Sequence, residues 1–177
     1  MAEKNGSTKQ RGAGVGDTVV YAAHGIGTIV ARGQNCVAGT ERECVVVEFA
    51  AGLRVTLSLD DAASRLRPVA DRAEFERVGA ILATTCGARE SSWTRRVRES
   101  QAKLTSGRTS DLAEIVRDGA GRVHSVSAER LSDGERRVYL KARELLVREL
   151  CTTLRVGDDE ANGWIDGHIQ PLQGSES

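Results

Sequence analysis

A chain of 177 residues with 25 Lys+Arg against 25 Asp+Glu has no net charge, which excludes binding to nucleic acid through overall charge alone. Apolar residues make up 40% and charged residues 28%, so modest cores, in one domain or two small ones, are expected rather than one large core. No run approaches the roughly 18 apolar residues of a membrane span, and four scattered cysteines without a CxxC pair indicate neither a zinc site nor a disulfide framework.

Residues 1–13 are rich in Gly, Ser and Lys and read as a disordered tail. They lack the apolar stretch of a secretion signal, so the expectation is a cytoplasmic protein with reduced thiols. Residues 17–21 form a short run rich in β-branched side chains. His24-Gly25-Ile26-Gly27 reads as a glycine-bearing turn or bulge before a longer strand over 28–37. A hairpin turn at 38–41 leads to a strand over 43–49, and a turn at 50–52 leads to alternating apolar and polar residues over 53–59. A tight connection at 60–64 and a last strand over 66–69 complete five short strands, the pattern of a small SH3-like or Tudor-like β-barrel.

The period changes from two to about 3.6 after Asp71. Phe75, Val78, Ile81 and Leu82 mark a helix that Asp71 and Glu74 begin. A short amphipathic helix carrying Trp93 follows, closed by Ser106-Gly107. A third helix carries Leu112, Ile115 and Val116, with Ser110 or Asp111 as cap, and is expected to fade at Gly119 and Gly121. Ser132 and Glu135 form a capping box for the longest helix, whose apolar face holds Val138, Leu140, Ala142, Leu145, Leu146 and Leu150. The fold class is thus α+β: the barrel over 14–69, an all-α bundle of about four helices over 70–154, and disordered tails. Residues 155–177 read as a flexible C-terminal tail, although Trp164-Ile165 has the apolar character to tuck back onto a domain.

The stretch around Trp93 needs an explanation, because the chain has only two Trp, two Tyr and two Phe. Here one Trp stands among Arg89, Arg95, Arg96, Arg98, Lys103 and Arg108, opposed only by Glu90 and Glu99. Arginine contacts phosphate, and an indole stacks on or wedges against exposed bases. Trp93 at helical spacing from Val97 and Leu104 also fits a partly buried core aromatic. Arg136, Arg137, Lys141 and Arg143 on the longest helix are interleaved with Glu144 and Glu149 and read as a solvated face. Cys36 and Cys44 flank the hairpin and are placed to face each other as packed thiols. No paired carboxylates, nucleophile–His arrangement or metal cluster is evident, so neither an enzyme nor a cofactor is expected.

Gly16-Asp17-Thr18-Val19-Val20-Tyr21 with His24-Gly25, Trp93-Thr94-Arg95-Arg96, Lys103-Leu104-Thr105-Ser106-Gly107, Val116-Arg117-Asp118 and Leu131-Ser132-Asp133-Gly134-Glu135-Arg136 occur in an order and spacing that resemble the CarD/CdnL family of bacterial transcription regulators. The resemblance spans residues 14–154. It implies a Tudor-like domain that binds the β subunit of RNA polymerase, and a helical domain over promoter DNA at the upstream edge of the transcription bubble. Trp93 would wedge into the minor groove and slow collapse of the open complex. Arg95, Arg96, Arg98 and Lys103 would contact the DNA backbone without sequence preference. At the polymerase face, Asn35 and Thr56 stand where the family has arginines, with Arg32, Arg42 and Arg54 nearby as substitutes. The expectation is a monomeric, nucleoid-associated, non-enzymatic regulator. The alternative is an adaptor that binds polymerase or another partner without touching DNA.

Overall fold

The structure is a computed structural model and describes residues 14–37, 39–85, 92–123 and 131–169. The expected terminal disorder at 1–13 and 173–177, together with Arg89, Glu90, Cys86 and His124, lies outside the described residues.

Five strands form one antiparallel sheet: β1 (Thr18–Tyr21), β2 (Gly25–Val37), β3 (Thr40–Phe49), β4 (Arg54–Ser58) and β5 (Leu66–Pro68), in the order β4-β3-β2-β1-β5. The expected closed barrel is not formed, since β4 and β5 remain edge strands. The chain between them is not the expected tight connection but helix α1 (Leu59–Arg65). Ser58 caps it by accepting from the Asp61 N–H at 3.2 Å, and Asp60 and Asp61 in the first turn favour its positive end. Ala62 of α1 is buried with Val19, Ile29, Val45, Val47, Phe49 and Leu57, so the helix covers the core at the open side of the sheet.

Gly27 is a strand residue rather than part of a turn. It pairs with both Val19 and Phe49, and an added Cβ would lie 2.7 Å from the Phe49 ring. His24 occupies the β1–β2 turn, 5.4 Å from Tyr21 and 5.3 Å from Phe49 between ring centroids, which is a packing role. A bulge between Ile29 and Ala31 shifts the β2–β3 register. Past it, Cys36 pairs with Glu41 and Cys44 with Gly33. The two thiols therefore sit on opposite faces of the hairpin, Cys36 exposed and Cys44 buried, and do not meet as expected.

Five helices follow: α2 (Arg72–Leu82), α3 (Trp93–Ser106), α4 (Thr109–Val123), α5 (Asp133–Leu154) and α6 (Asp158–His168). Two of the three expected N-terminal caps are present, whereas α4 already begins at Thr109 and so takes Ser110 and Asp111 into its first turn. Asp71 accepts from the Glu74 N–H at 2.8 Å, and Ser132 with Glu135 forms the full capping box. Their shared core is built on Phe75, Val78, Leu82, Leu112, Val116, Leu146, Leu150 and Ile165. Leu140, expected on the apolar face, is instead 51% exposed. Among the described residues, no helix is long and apolar enough to cross a membrane.

Two expectations fail, one at the end of α4, where a glycine acts as a notch and not as a break, and one in the segment after α5. Helix α4 continues through Gly119 and Gly121 to Val123. At Gly119 an added Cβ would lie 2.3 Å from Tyr139 Cδ2 of α5. Helix propensity alone would reward Gly119→Ala by about 1 kcal/mol, but overpacking of about 1–3 kcal/mol outweighs it. We therefore expect Gly119→Ala to lower the denaturation midpoint, and a rise would show that the ring shifts freely.

Residues 158–168, expected within a flexible tail, form α6. Its Ala161 and Ile165 are fully buried, and Trp164 meets Phe75 edge-on at 6.1 Å. A Cβ at Gly79 of α2 would lie 2.8 Å from the His168 ring, so α6 seats against a notch in α2. Gly157, Gly163 and Gly167 with four acidic residues give this segment a linker's composition, but acidic residues at 158–160 are favourable in a first turn.

The sheet and the helices meet along a sealed seam. Gly107 closes α3 in the left-handed conformation (φ 65°), and a Cβ there would lie 2.5 Å from the Ala22 Cβ in the β1–β2 turn. Beside it, Arg67 of β5 makes two bonds to Glu149 of α5, at 2.5 and 2.8 Å, and donates to the Gly107 carbonyl at 2.8 Å. Glu149 also accepts from the Ala70 N–H at 2.8 Å and is 1% exposed. This corrects its reading as part of a solvated face.

Candidate nucleic-acid and polymerase interfaces

Helix α3 has no fully buried residue. Trp93, Val97, Ser100 and Leu104 recur at spacings of four, three and four, which is the stripe of an amphipathic helix. The last three are half-buried, and Leu104 packs on the helical core. Trp93 is on the same stripe but 60% exposed. It is the first residue of the helix, beyond the support that buries the rest. Ser92 holds the N-cap position without a side-chain capping bond. Trp93, Thr94, Val97, Arg98, Gln101, Ala102 and Thr105 line a shallow, largely apolar groove along the outer side of α3.

The cations expected to act together are divided by the fold. Arg95 is exposed and, among the described residues, paired along its own helix, Nε to Glu99 at 2.9 Å, a weak surface contact. Arg98 is exposed and has no ion pair among the described residues. Lys103 reaches α4, with its Nζ 2.5 Å from Glu114. Arg96 reaches α5, with its Nε 3.0 Å from Glu135 Oε1, and is only 17% exposed.

Glu135 was legible as a capping residue but not as the centre of an ion cluster. Its Oε1 accepts from Arg96 and from Arg122 of α4, at 3.0 and 2.9 Å. Its Oε2 accepts from the Ser132 N–H and hydroxyl, both at 2.9 Å. Four donors thus fill the acceptor capacity of one carboxylate. Burial opposes its charge, but the bonds from the Ser132 backbone, Arg96 and the Ser132 hydroxyl outweigh that, holding its pKa below the ordinary 4.5. A carboxylate depressed on folding contributes stability that is complete above its unfolded pKa and lost as pH falls through the folded one. We therefore expect acid to loosen α3 from α4 and α5 below about pH 4.5 in a manner that Glu135→Gln abolishes. Amide exchange of α3 against pH would show it, and an unchanged profile in the variant would refute it.

On the sheet, the four residues expected at a polymerase face do not share one surface. Register places Arg54, Thr56 and Asn35 on the face that carries Glu48, Val46 and Arg42, away from the sheet's core. Arg32 pairs with Val45 and belongs to the opposite face, where it bonds Glu43 at 2.8 Å. Arg54 is tied to Glu48 at 2.5 Å. Asn35 and Thr56 are exposed, and the Asn35 side chain accepts only from the adjacent Cys36 N–H among the described contacts.

Residues 14–70 match the family model described as the CarD-like/TRCF RID domain, which covers the whole sheet with α1. Residues 77–166 match the model described as CarD, C-terminal domain, from within α2 into α6. These matches carry an association with transcription and an interaction with the RNA polymerase β subunit, through domains that regulate and bind. With the two models in this order over the sheet and the helices, the chain belongs to the CarD/CdnL family of RNA polymerase-interacting transcription regulators.

Proposed function

We propose that this protein stabilises promoter open complexes, with Trp93 as an apolar wedge in the minor groove at the upstream edge of the bubble. In this reading, residues 14–69 dock on the polymerase β subunit through the face bearing Asn35, Arg54 and Thr56, and Arg32, on the opposite face, takes no part. The helical part from residue 70 then lies over the DNA, and the protein acts as a monomer without a cofactor beside the nucleoid. The observation that carries the reading is the 60% exposure of Trp93 at the tip of a helix whose other stripe residues are half-buried. Exposed Arg95 and Arg98 flank it and supply backbone contacts that carry no sequence information.

The test is the lifetime of a promoter open complex with polymerase and either wild type or Trp93→Ala. Loss of stacking worth about 1–3 kcal/mol predicts a lifetime shortened about five- to 150-fold. Because Trp93 is outside the core, the variant should unfold at the wild-type midpoint. Equal lifetimes would sink the wedge.

One observation favours the adaptor reading instead. Arg96 and Lys103, half of the expected DNA-contacting cations, are committed to carboxylates within the fold. Retained polymerase binding by the full chain, with no affinity for fork-junction DNA at low salt, would decide for it.

A further inference from the structure

We infer that Arg96 is a positioning residue: its ion pair with Glu135, shared with Arg122, fixes the turn of α3 that presents Trp93, and phosphate contact falls to Arg95 and Arg98. The inference rests on the wedge reading of Trp93 and changes which cations serve it.

Arg96 and Trp93 are three residues apart, one above the other on neighbouring positions of the same helix face. Immobilising one therefore constrains the other. Among the described residues, few other contacts hold the first turn of α3. It has no side-chain cap, no fully buried residue, and its half-buried apolar anchor, Leu104, is near the far end. Lys103, the other cation bridging to a neighbouring helix, is also near that end. Nearer the start there is Val97, placed so that a Cβ on Gly134 would lie 3.8 Å from it, and the Arg96–Glu135 pair beside it. Glu135 is itself rigid, because its own helix start holds Oε2 through Ser132 while Arg122 of α4 shares Oε1. One carboxylate thus ties together α3, α4 and α5 at the end of the bundle where Trp93 emerges.

The exposures sort the cations in the same way. Arg95 is 73% exposed, whereas Arg96 is 17% exposed against a carboxylate that is 8% exposed. A guanidinium that left Glu135 for a phosphate would leave a buried charge with one cation fewer.

The experiment uses the full chain with Arg96→Gln, Glu135→Gln, both together, and Arg98→Gln. Glutamine at position 135 keeps the capping-box geometry while removing the charge. In the free protein, amide exchange over 92–100 should accelerate about ten-fold in either single variant and no further in the double, because both break the Arg96–Glu135 pair. Arg96→Lys should restore part of the protection. For fork-junction DNA, Arg98→Gln should flatten the salt dependence by up to about one unit, whereas Arg96→Gln should weaken binding at an unchanged slope. Unchanged exchange with a flattened slope in Arg96→Gln would make Arg96 a phosphate contact and overturn the inference. If wild type binds no fork DNA, the wedge reading fails, while the exchange data still decide whether Arg96 and Glu135 position α3.

Discussion

Replacing Glu149 by Ala is expected to cost about 3–5 kcal/mol of folding stability, the penalty for breaking a buried pair by removing one partner. The side chain is 1% exposed and accepts two bonds from Arg67 and one from the Ala70 N–H. Its loss leaves a guanidinium, itself only 25% exposed, and a backbone donor without their acceptor. The effect should reach beyond α5, because Arg67 belongs to β5 and also holds the Gly107 carbonyl at the end of α3. Denaturant titration would give the magnitude, and amide exchange should show β5 and the α3–α4 turn losing protection together. A cost below about 1 kcal/mol would make this an ordinary surface pair and the seam a loose contact. For a protein that docks with its sheet and acts with its helices, a rigid seam transmits the position of one to the other.

Ile165→Ala should cost about 2–5 kcal/mol, the range for truncating a fully buried aliphatic side chain. Ile165 is 0% exposed within the helical core, and α6 around it also contributes Ala161 and the contacts of Trp164 with Phe75. Ending the chain at residue 156 should lower the thermal midpoint by more than the point substitution does, because it uncovers the Gly79 face of α2 as well. An unchanged midpoint in both variants would restore the flexible-tail description of this segment.

Local chemistry explains what was readable in advance. The capping box at Ser132, the cap at Asp71 and the alternation along β4 are each set within a few residues, so the elements they define could be placed by inspection. The ordered motifs around Tyr21, Trp93, Gly107 and Glu135 pointed to the family that the two domain matches show. Composition misled at the end of α4, where Gly119 serves close packing against Tyr139, and at α6, whose own glycines are open to space while the buried Ala161 and Ile165 hold the helix on the core. The barrel was misjudged because closure requires β4 and β5 to pair, and Ser58 instead starts a helix between them.

By itself, then, the sequence determined the order of the five strands and of α2 to α5, the capped starts of α2 and α5, the presence of a Trp-bearing basic helix, and the family. The tertiary structure alone decided which of those charges remain available. Arg96 meets a carboxylate 39 residues away, and Arg67 meets one 82 residues away. A local pattern carries no trace of pairings at such separation, because every cation on a helix face looks alike until its neighbours are packed. The same holds for Trp93, whose spacing is that of a core residue and whose exposure follows only from where the supporting helices end.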